Sequence, residues 1–391
     1  MKEVKIFTLM FFNNISLAFL LIDERTLIAM PYKNNANKIN LNQVVSYYDY
    51  AASTPVSDDV LKDMQPWLNE YFGNPSSSHF EGERARRAIN TARQIIADKI
   101  GALPSEIVFT SGASEANNLA LKGVAFQRLE QKGHIITSAI EHKCVLNTCA
   151  YLETIGFNVT YIMPDKTGII SSEKVKAAIQ NDTFLISIHH VNNEIGTIQP
   201  IGEFGAIAFE HNILFHTDSA QGFCKCGIDV DDMDIDMLSI SGHKIYGPKG
   251  IGALYVRDVR NSGLVPQIHG GGQEEGMRGG TSPTALIIGL ASAVEHFPVT
   301  GMSTVSALNG VLSQYKFFKN SGSKSVPTIF SITFENDKER NRFFSENEWL
   351  ISQGSACNAI SNFASHVLIA IGLTEEQARR TYRISLPPFS L

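Results

Sequence analysis

A lysine stands in a glycine-rich stretch directly after a short apolar run. The stretch reads SISGHKIYGPKG over residues 239–250, and Lys244 lies at its centre. A lysine held there can condense with an aldehyde, and the Ser241 hydroxyl and His243 imidazole can hold a phosphate. An aldehyde and a phosphate are the two ends of pyridoxal phosphate. Taken alone, the stretch is equally compatible with a surface lysine in a glycine-rich turn.

Two further patterns supply groups that such a cofactor needs. Ser111-Gly112-Ala113-Ser114 follows a predicted strand and opens a predicted helix, so its free N–H groups can bind a phosphate. Asp218 ends another predicted strand, where a buried carboxylate can pair with a protonated pyridine nitrogen and make the ring an electron sink. An ordinary N-cap turn and a helix-capping aspartate are the respective alternatives.

Polar side chains also follow two other predicted strands. His142 comes after the strand at 134–138, where an imidazole can stack on a ring and move protons. Asn192-Asn193-Glu194 closes the other strand, where an amide can contact a ring oxygen or a substrate carboxylate. A solvated histidine and a plain turn remain the alternatives.

The last part of the chain holds a candidate nucleophile and a candidate anion binder. Cys357 lies in SQGSACNA at 352–359, and small residues around a thiol suggest an exposed loop with a nucleophilic thiolate. Arg383 lies on a late apolar strand, where a guanidinium suits bidentate capture of an α-carboxylate. A buried structural cysteine and a surface ion pair are the alternatives.

Short apolar strands alternate with amphipathic helices through most of the chain. This alternation predicts an α/β fold with a mostly parallel sheet and helices on both faces. The polar groups at the strand ends then face a ligand at the carboxyl edge of the sheet. The stretch 297–326 is rich in Ser, Gly, Thr and Lys and is predicted to be a joint between domains. The strands are predicted at 106–110, 134–138, 159–162, 184–188, 213–216 and 329–334.

Composition is that of an ordinary globular protein. The 391 residues are 43% hydrophobic with a net charge of -6, and no basic cluster indicates nucleic acid as a direct ligand. Five cysteines are an odd number in a long chain, which argues against a secreted disulfide scaffold. Cys224-Lys225-Cys226 lacks the second half that a zinc site needs, so no metal site is predicted.

An apolar stretch at 6–22 precedes the predicted fold. It is short for a membrane span, has Asn13-Asn14 in its middle, and lacks a signal-peptide cleavage site. Three interpretations remain open: an upstream extension without a role in the fold, including a start at Met30; an extra packed element; and a membrane anchor or export signal.

Together and in this order, the motifs resemble the pyridoxal-phosphate cysteine desulfurases of the class V aminotransferase superfamily. The resemblance covers roughly residues 46–386, and the Gly-Ser-Ala-Cys loop is similar to that of the iron–sulfur-assembly branch. Its clearest matches are YYDYAASTPV at 47–56, FGNPSSSH at 72–79, EIVFTSGASEANNLALKG at 106–123, HIITSAIEHKCVL at 134–146, HVNNEIGTIQ at 190–199 and HGGGQEEGMRGGTSP at 269–283.

The resemblance implies the fold of pyridoxal-phosphate-dependent transferases of fold type I. Residues 58–296 would form the large cofactor-binding domain with the mostly parallel sheet. Residues 46–57 and 297–391 would form a smaller α+β domain, and residues 1–45 an extension of uncertain role.

The resemblance also implies a role for each candidate. Lys244 would hold the cofactor as a Schiff base and move the α-proton of the substrate, and Cys357 would take the sulfur as a persulfide. The other implied roles are ring stacking and acid–base steps for His142, pairing with the pyridinium for Asp218, a bond to the ring hydroxyl for Gln221, phosphate binding for Ala113, Ser114, Ser241, His243 and the Thr281 of a second subunit in a homodimer, and carboxylate binding for Asn193 and Arg383.

The expected reaction converts L-cysteine and an acceptor thiol into L-alanine and a persulfide. We expect a cytoplasmic enzyme without membrane association whose acceptor is a protein, either an iron–sulfur scaffold or a relay for tRNA or DNA thio-modification. Another class V enzyme, an aminotransferase or a selenocysteine lyase, is one rival. A catalytically impaired scaffold that still binds pyridoxal phosphate is the other.

Three departures from the family pattern lie near the end of the chain. The family usually continues well past the Arg383 motif, its Ser-Leu-Gly-Arg-Phe is Ser-Leu-Pro-Pro-Phe at 385–389 here, and the joint at 297–326 looks shortened. Proline stops a helix and cannot donate to a strand ladder, so we expect an extended tail. We also expect an easily opened small domain, with weak or absent turnover.

Overall fold

The computed structural model describes residues 46–299, 301–353 and 364–391. The apolar stretch at 6–22 and the Cys357 loop lie outside these ranges. The helices are α1 (Asp58–Asn69), α2 (Phe80–Asp98), α3 (Ala113–Phe126), α4 (Lys143–Thr154), α5 (Ser172–Ala177), α6 (Ile201–Glu210), α7 (Thr284–Glu295), α8 (Met302–Leu312), α9 (Asp337–Glu346), α10 (His366–Ala370) and α11 (Glu375–Arg379). The strands are β1 (Ser46–Tyr47), β2 (Ile107–Thr110), β3 (His134–Ser138), β4 (Asn158–Ile162), β5 (Thr183–Ser187), β6 (Leu214–Asp218), β7 (Met237–Ser241), β8 (Gly252–Val256), β9 (Phe317–Lys319), β10 (Ile329–Phe334), β11 (Trp349–Leu350) and β12 (Thr381–Ser385).

A seven-stranded sheet carries the site. Its strand order is β2-β8-β7-β6-β5-β3-β4. The strands from β7 to β4 pair in parallel, and β8 is antiparallel to both β7 and β2. The predicted α/β fold with a mostly parallel sheet is therefore confirmed. Sequence reasoning did not identify β8, because glycines flank its short apolar run.

Two apolar cores lie on opposite faces of this sheet. Neighbouring residues of one strand alternate between faces, so Ile136 and Ile186 belong to one core while Ile135 and Leu185 belong to the other. Helices α1, α2 and α7 pack over the first face, and α3 and α4 over the second. Coverage on both faces buries all residues of the strands β2, β3, β5, β7 and β8, which fixes the residues at their ends.

A second sheet of three antiparallel strands has the order β12-β10-β9. All six residues of β10 are buried. The stretch 297–326, predicted as a domain joint, contains α8 and β9 and is therefore more regular than expected. Its Ser-rich composition hid the apolar face that Val305, Leu308 and Leu312 form on α8.

The tail after β12, predicted to be extended, packs against the protein. Residues 386–391 form neither helix nor strand, but Leu386 and Phe389 are buried. The Phe389 ring lies so close to Gly301 that a Cβ at this glycine would meet it at 2.2 Å. The tail packs because its proline-containing run places two apolar side chains against the protein.

The chain divides into two compact units. Residues 48–343 and 351–391 form the unit that contains both of these sheets. The other unit contains β1 and β11, which pair in parallel. The predicted division into a large and a small domain stays a prediction. No helix in the described ranges combines the length and apolarity needed to cross a membrane.

Two phenylalanines on α6 give a test of the packing. Phe204 is fully buried with its ring 6.4 Å from that of Phe215, whereas Phe209 is 74% exposed. Phe204→Ala should lower the free energy of unfolding by about 3–5 kcal/mol, because it leaves a cavity. Phe209→Ala should change it by less than about 0.5 kcal/mol. Urea unfolding followed by circular dichroism measures both, and equal effects would contradict this packing.

Candidate active site

A cavity of about 500 Å³ opens at the carboxyl ends of the parallel strands. Ten of the twelve predicted site residues line it. Thr281 is exposed and does not line it, and Cys357 lies outside the described residues. The predicted residues that line the cavity are Ala113, Ser114, His142, Asn193, Asp218, Gln221, Ser241, His243, Lys244 and Arg383.

Lys244 ends a short 3₁₀ turn that follows β7. Its Nζ donates to the carbonyl oxygen of Ala51 at 2.6 Å and to that of Ala52 at 2.8 Å. Burial, with the nearby Arg383 and Lys225 cations, lowers the pKa of Lys244 to about 7. A substantial fraction of this amine is therefore unprotonated near neutral pH and can attack a carbonyl carbon.

Asp218 ends β6 and is buried within a small network of polar groups. Its Oδ2 accepts from Asn117 Nδ2 at 2.7 Å and its Oδ1 from the backbone N–H of Ala220 at 2.9 Å. The same Asn117 amide lies 3.1 Å from the sulfur of Cys144. The carboxylate is thus held in place by donors on both oxygens, as a partner for a cationic ligand group must be.

His142 is the N-cap of α4. Its Nδ1 accepts from the backbone N–H of Cys144 at 3.2 Å and lies 2.9 Å from the sulfur of Cys144. Burial is the largest effect on the pKa of His142 and lowers it, so the ring is neutral at physiological pH. The half-buried position of His142 at the cavity favours the site role over the solvated histidine.

The start of α3 forms one end of the cavity. Gly112, at φ +150°, is the residue before the helix and supplies no side-chain cap. The first N–H groups of a helix need partners, and an anion is a suitable one. His243 lies at this cavity too, with Nδ1 3.2 Å from the hydroxyl of Ser53. Burial and the neighbouring Lys244 lower the pKa of His243 to about 4, so its ring is neutral.

Arg383, on β12, is buried and carries a buried ion pair. Its Nη2 donates to Asp49 Oδ1 at 2.6 Å and its Nη1 to the backbone oxygen of Asn193 at 2.8 Å. Its Nε has no partner among the described residues. The ion pair considered at the sequence level is thus real but buried, and it positions the guanidinium at the cavity.

Comparison with known proteins gives the family. A family model for class V aminotransferases matches residues 46–389. Cysteine desulfurase IscS of Rickettsia rickettsii (strain Iowa) is 42% identical over 88% of this chain and 87% of its own length. Human cysteine desulfurase is 43% identical over 88% of this chain and 78% of its own length. The chain belongs to the cysteine desulfurases of the class V aminotransferase family.

A solved structure of another family member agrees. The structure described as SspA in complex with cysteine is 64% identical and superposes with a TM-score of 0.87. The match covers 89% of this chain and all of that one. The family predicted from the motifs is therefore confirmed.

Three residues at the site of this cysteine desulfurase escaped sequence reasoning. Asp49 binds Arg383, and Lys225 donates to Gln221 Oε1 at 2.8 Å. His189 lines the cavity and has Nδ1 2.7 Å from Glu141 Oε1. The signal available in the sequence was the adjacent pair His189-His190 after a predicted strand. Successive side chains point in opposite directions, so one of the two can face the cavity.

The lowered pKa of Lys244 can be measured directly. Labelling of the cofactor-free protein with an amine-reactive ester, mapped by mass spectrometry, should rise with pH around 7 at Lys244. Burial disfavours the ammonium form, whereas exposed lysines keep a pKa near ~10.4 and should react only at higher pH. A Lys244 profile that coincides with that of the exposed lysines would contradict this environment.

Proposed function

We propose that the protein binds pyridoxal phosphate in this cavity and transfers sulfur from L-cysteine to an acceptor thiol, leaving L-alanine. The observation that carries the proposal is the amine of Lys244, with its pKa near 7, in one cavity with an uncapped helix start and a buried carboxylate. The family supports the reaction, and the cysteine in the SspA structure supports the substrate.

The donor set fits pyridoxal phosphate. The first N–H groups of α3, with Ser241 and His243, suit the phosphate, and Asp218 suits a protonated ring nitrogen. Gln221 donates through Nε2 to the carbonyl oxygen of Ala51 at 2.8 Å, and its second N–H would be the donor for the ring hydroxyl. When bound, the cofactor supplies an electron sink that weakens the bonds around the α-carbon of an amino acid.

Protein side chains supply the other steps. Arg383 and Asn193 hold the substrate carboxylate, which turns the α-carbon toward Lys244. Lys244 removes and returns the proton at this carbon. The neutral His142 ring would stack on the cofactor and donate a hydrogen bond from its Nε2–H. The Cys357 thiolate attacks the substrate sulfur, the C–S bonding electrons pass to carbon, and a proton completes alanine. The role of Cys357 rests on its sequence motif.

The proposal includes the assembly and the destination of the sulfur. The working form is a homodimer in which Thr281 reaches the phosphate of the partner's cofactor, and its exposure in the single chain agrees with such a role. The persulfide on Cys357 passes to a protein acceptor in the cytoplasm, either an iron–sulfur scaffold or a thio-modification relay.

Lys244→Ala tests the cofactor assignment. The purified wild-type protein should be yellow, and borohydride should fix the cofactor covalently to it. Lys244→Ala should lose both the Schiff-base absorbance and this covalent fixation, whereas Lys249→Ala should keep both. Mass spectrometry locates the fixed cofactor. Covalent fixation that persists in Lys244→Ala would refute the assignment.

Cys357→Ala tests the sulfur carrier. The variant should stay yellow but should lose persulfide formation by at least ~10²-fold, since it lacks the attacking thiolate. Cys149→Ala is the matched control, because burial raises the pKa of this core thiol and keeps it unreactive. Persulfide mapping and alanine production measure the outcome. Unchanged alanine production in Cys357→Ala would show that another group takes the sulfur.

A further inference from the structure

Two of the three histidines that line the cavity have opposite arrangements of their ring protons. The first is His142, whose Nδ1 accepts the backbone N–H of Cys144 at 3.2 Å. A backbone N–H can only donate, so Nδ1 must keep its lone pair. In the neutral ring, the single proton therefore lies on Nε2. His142 faces a ligand as a donor.

His189 has the reverse arrangement. Its Nδ1 lies 2.7 Å from Glu141 Oε1, and its backbone N–H lies 3.0 and 3.1 Å from the two carboxylate oxygens. A carboxylate only accepts, so the proton of the neutral ring lies on Nδ1. Nε2 then keeps a lone pair. This atom is buried and has no partner among the described residues.

Two other buried histidines of this chain have a partner on each ring nitrogen. His134 has hydroxyl partners on both ring nitrogens, Thr183 and Thr160, each at 2.8 Å. His216 likewise has Ser187 at 2.8 Å and Ser239 at 3.0 Å. These two rings are satisfied by the fold, and neither lines the cavity. The free lone pair of His189 therefore needs a partner that comes from outside the described protein.

The carboxylate of Glu141 is placed to help His189 take up a proton. Glu141 is 1% exposed and also accepts the hydroxyl of Ser138. A buried carboxylate against Nδ1 stabilises the imidazolium that forms when Nε2 gains a proton. The other titratable groups near this pair include Cys144, Cys149, His142, His190, His216 and His366, and the last has its Nε2 3.0 Å from the backbone oxygen of Glu141.

We propose that His189 is a further catalytic residue, the general base that takes a proton from the α-ammonium group of the incoming amino acid. The N–H bond of the substrate breaks, the proton bonds to Nε2, and the electron pair stays on the amine nitrogen. Only this uncharged amine can attack a carbonyl carbon. The position of His189, four residues before the carboxylate-binding Asn193 on the same segment, supports this assignment. The inference rests on the proposed function.

The other cavity groups are less suited to this step. His142 carries its proton on the free nitrogen, and Lys244 Nζ already donates to two carbonyl oxygens. Both oxygens of Asp218 accept hydrogen bonds from protein donors. His189 thus offers a buried Nε2 that the described contacts leave unused.

Nitrogen NMR tests the two tautomers without any mutation. Two-bond ¹H–¹⁵N spectra of the holoenzyme labelled with ¹⁵N-histidine should show the Nδ1–H form for His189 and the Nε2–H form for His142. Single conservative variants assign the signals. The same tautomer for both rings would overturn the inference.

Stopped-flow mixing of the holoenzyme with amino acids tests the step itself. His189→Gln should slow the change in cofactor absorbance on binding about 10²-fold, because general-base catalysis is lost. Both L-cysteine and L-alanine should show this defect, since both carry an α-ammonium group. Glu141→Gln should give a smaller loss. His366→Gln is the matched control, because it disturbs the Glu141 segment without altering the cavity, and it should bind at the wild-type rate.

Chemical rescue separates a base from a structural role. His189→Ala should regain speed when imidazoles are added, and the regained rate should increase with the basicity of the imidazole. A defect with L-cysteine alone, or rescue that is independent of basicity, would overturn the inference. If the wild type binds L-alanine but makes no alanine from L-cysteine, the proposed function fails while the binding experiment still decides the role of His189.

Discussion

The arrangement of the site depends on the hydrogen bonds that the carbonyl oxygen of Ala51 accepts. This oxygen accepts from Lys244 Nζ at 2.6 Å and from Gln221 Nε2 at 2.8 Å, so one peptide group orients two side chains from different elements. Ala51 is itself held by β12, since Ser385 Oγ accepts from its backbone N–H at 2.9 Å. A displacement of this segment would misplace the lysine and the glutamine together.

Charged side chains of both signs lie around the carbonyl oxygen of Ala51. The cavity and its margin hold the cations of Arg383, Lys225 and Lys244 against the carboxylates of Asp49 and Asp218. Arg383 is paired with Asp49, and burial lowers the pKa of Lys225 to about 8. A lysine between two other cations is most easily accommodated as the neutral amine. The same crowding thus explains why Lys244 is suited to react.

The sequence predicts those parts of the fold and site that depend on local pattern. The parallel strands and the polar residues at their ends, such as Asp218, follow from periodicity, because each signal lies within a few residues. The pairs Asp49–Arg383 and Glu141–His189 join segments far apart in the chain, and nothing local marks them. The helix α8 was missed because serine and threonine masked its apolar spacing.

The cap of α4 has a consequence for the helix as well as for proton transfer. His142 serves as N-cap through the lone pair of Nδ1. A second proton on this ring would occupy that lone pair and leave the backbone N–H of Cys144 without its acceptor. The His142 ring therefore cannot carry a second proton and cap the first turn of α4 at the same time. The helix cap therefore restrains the chemistry of the site, because the hydrogen bond at the start of α4 favours the uncharged form of His142.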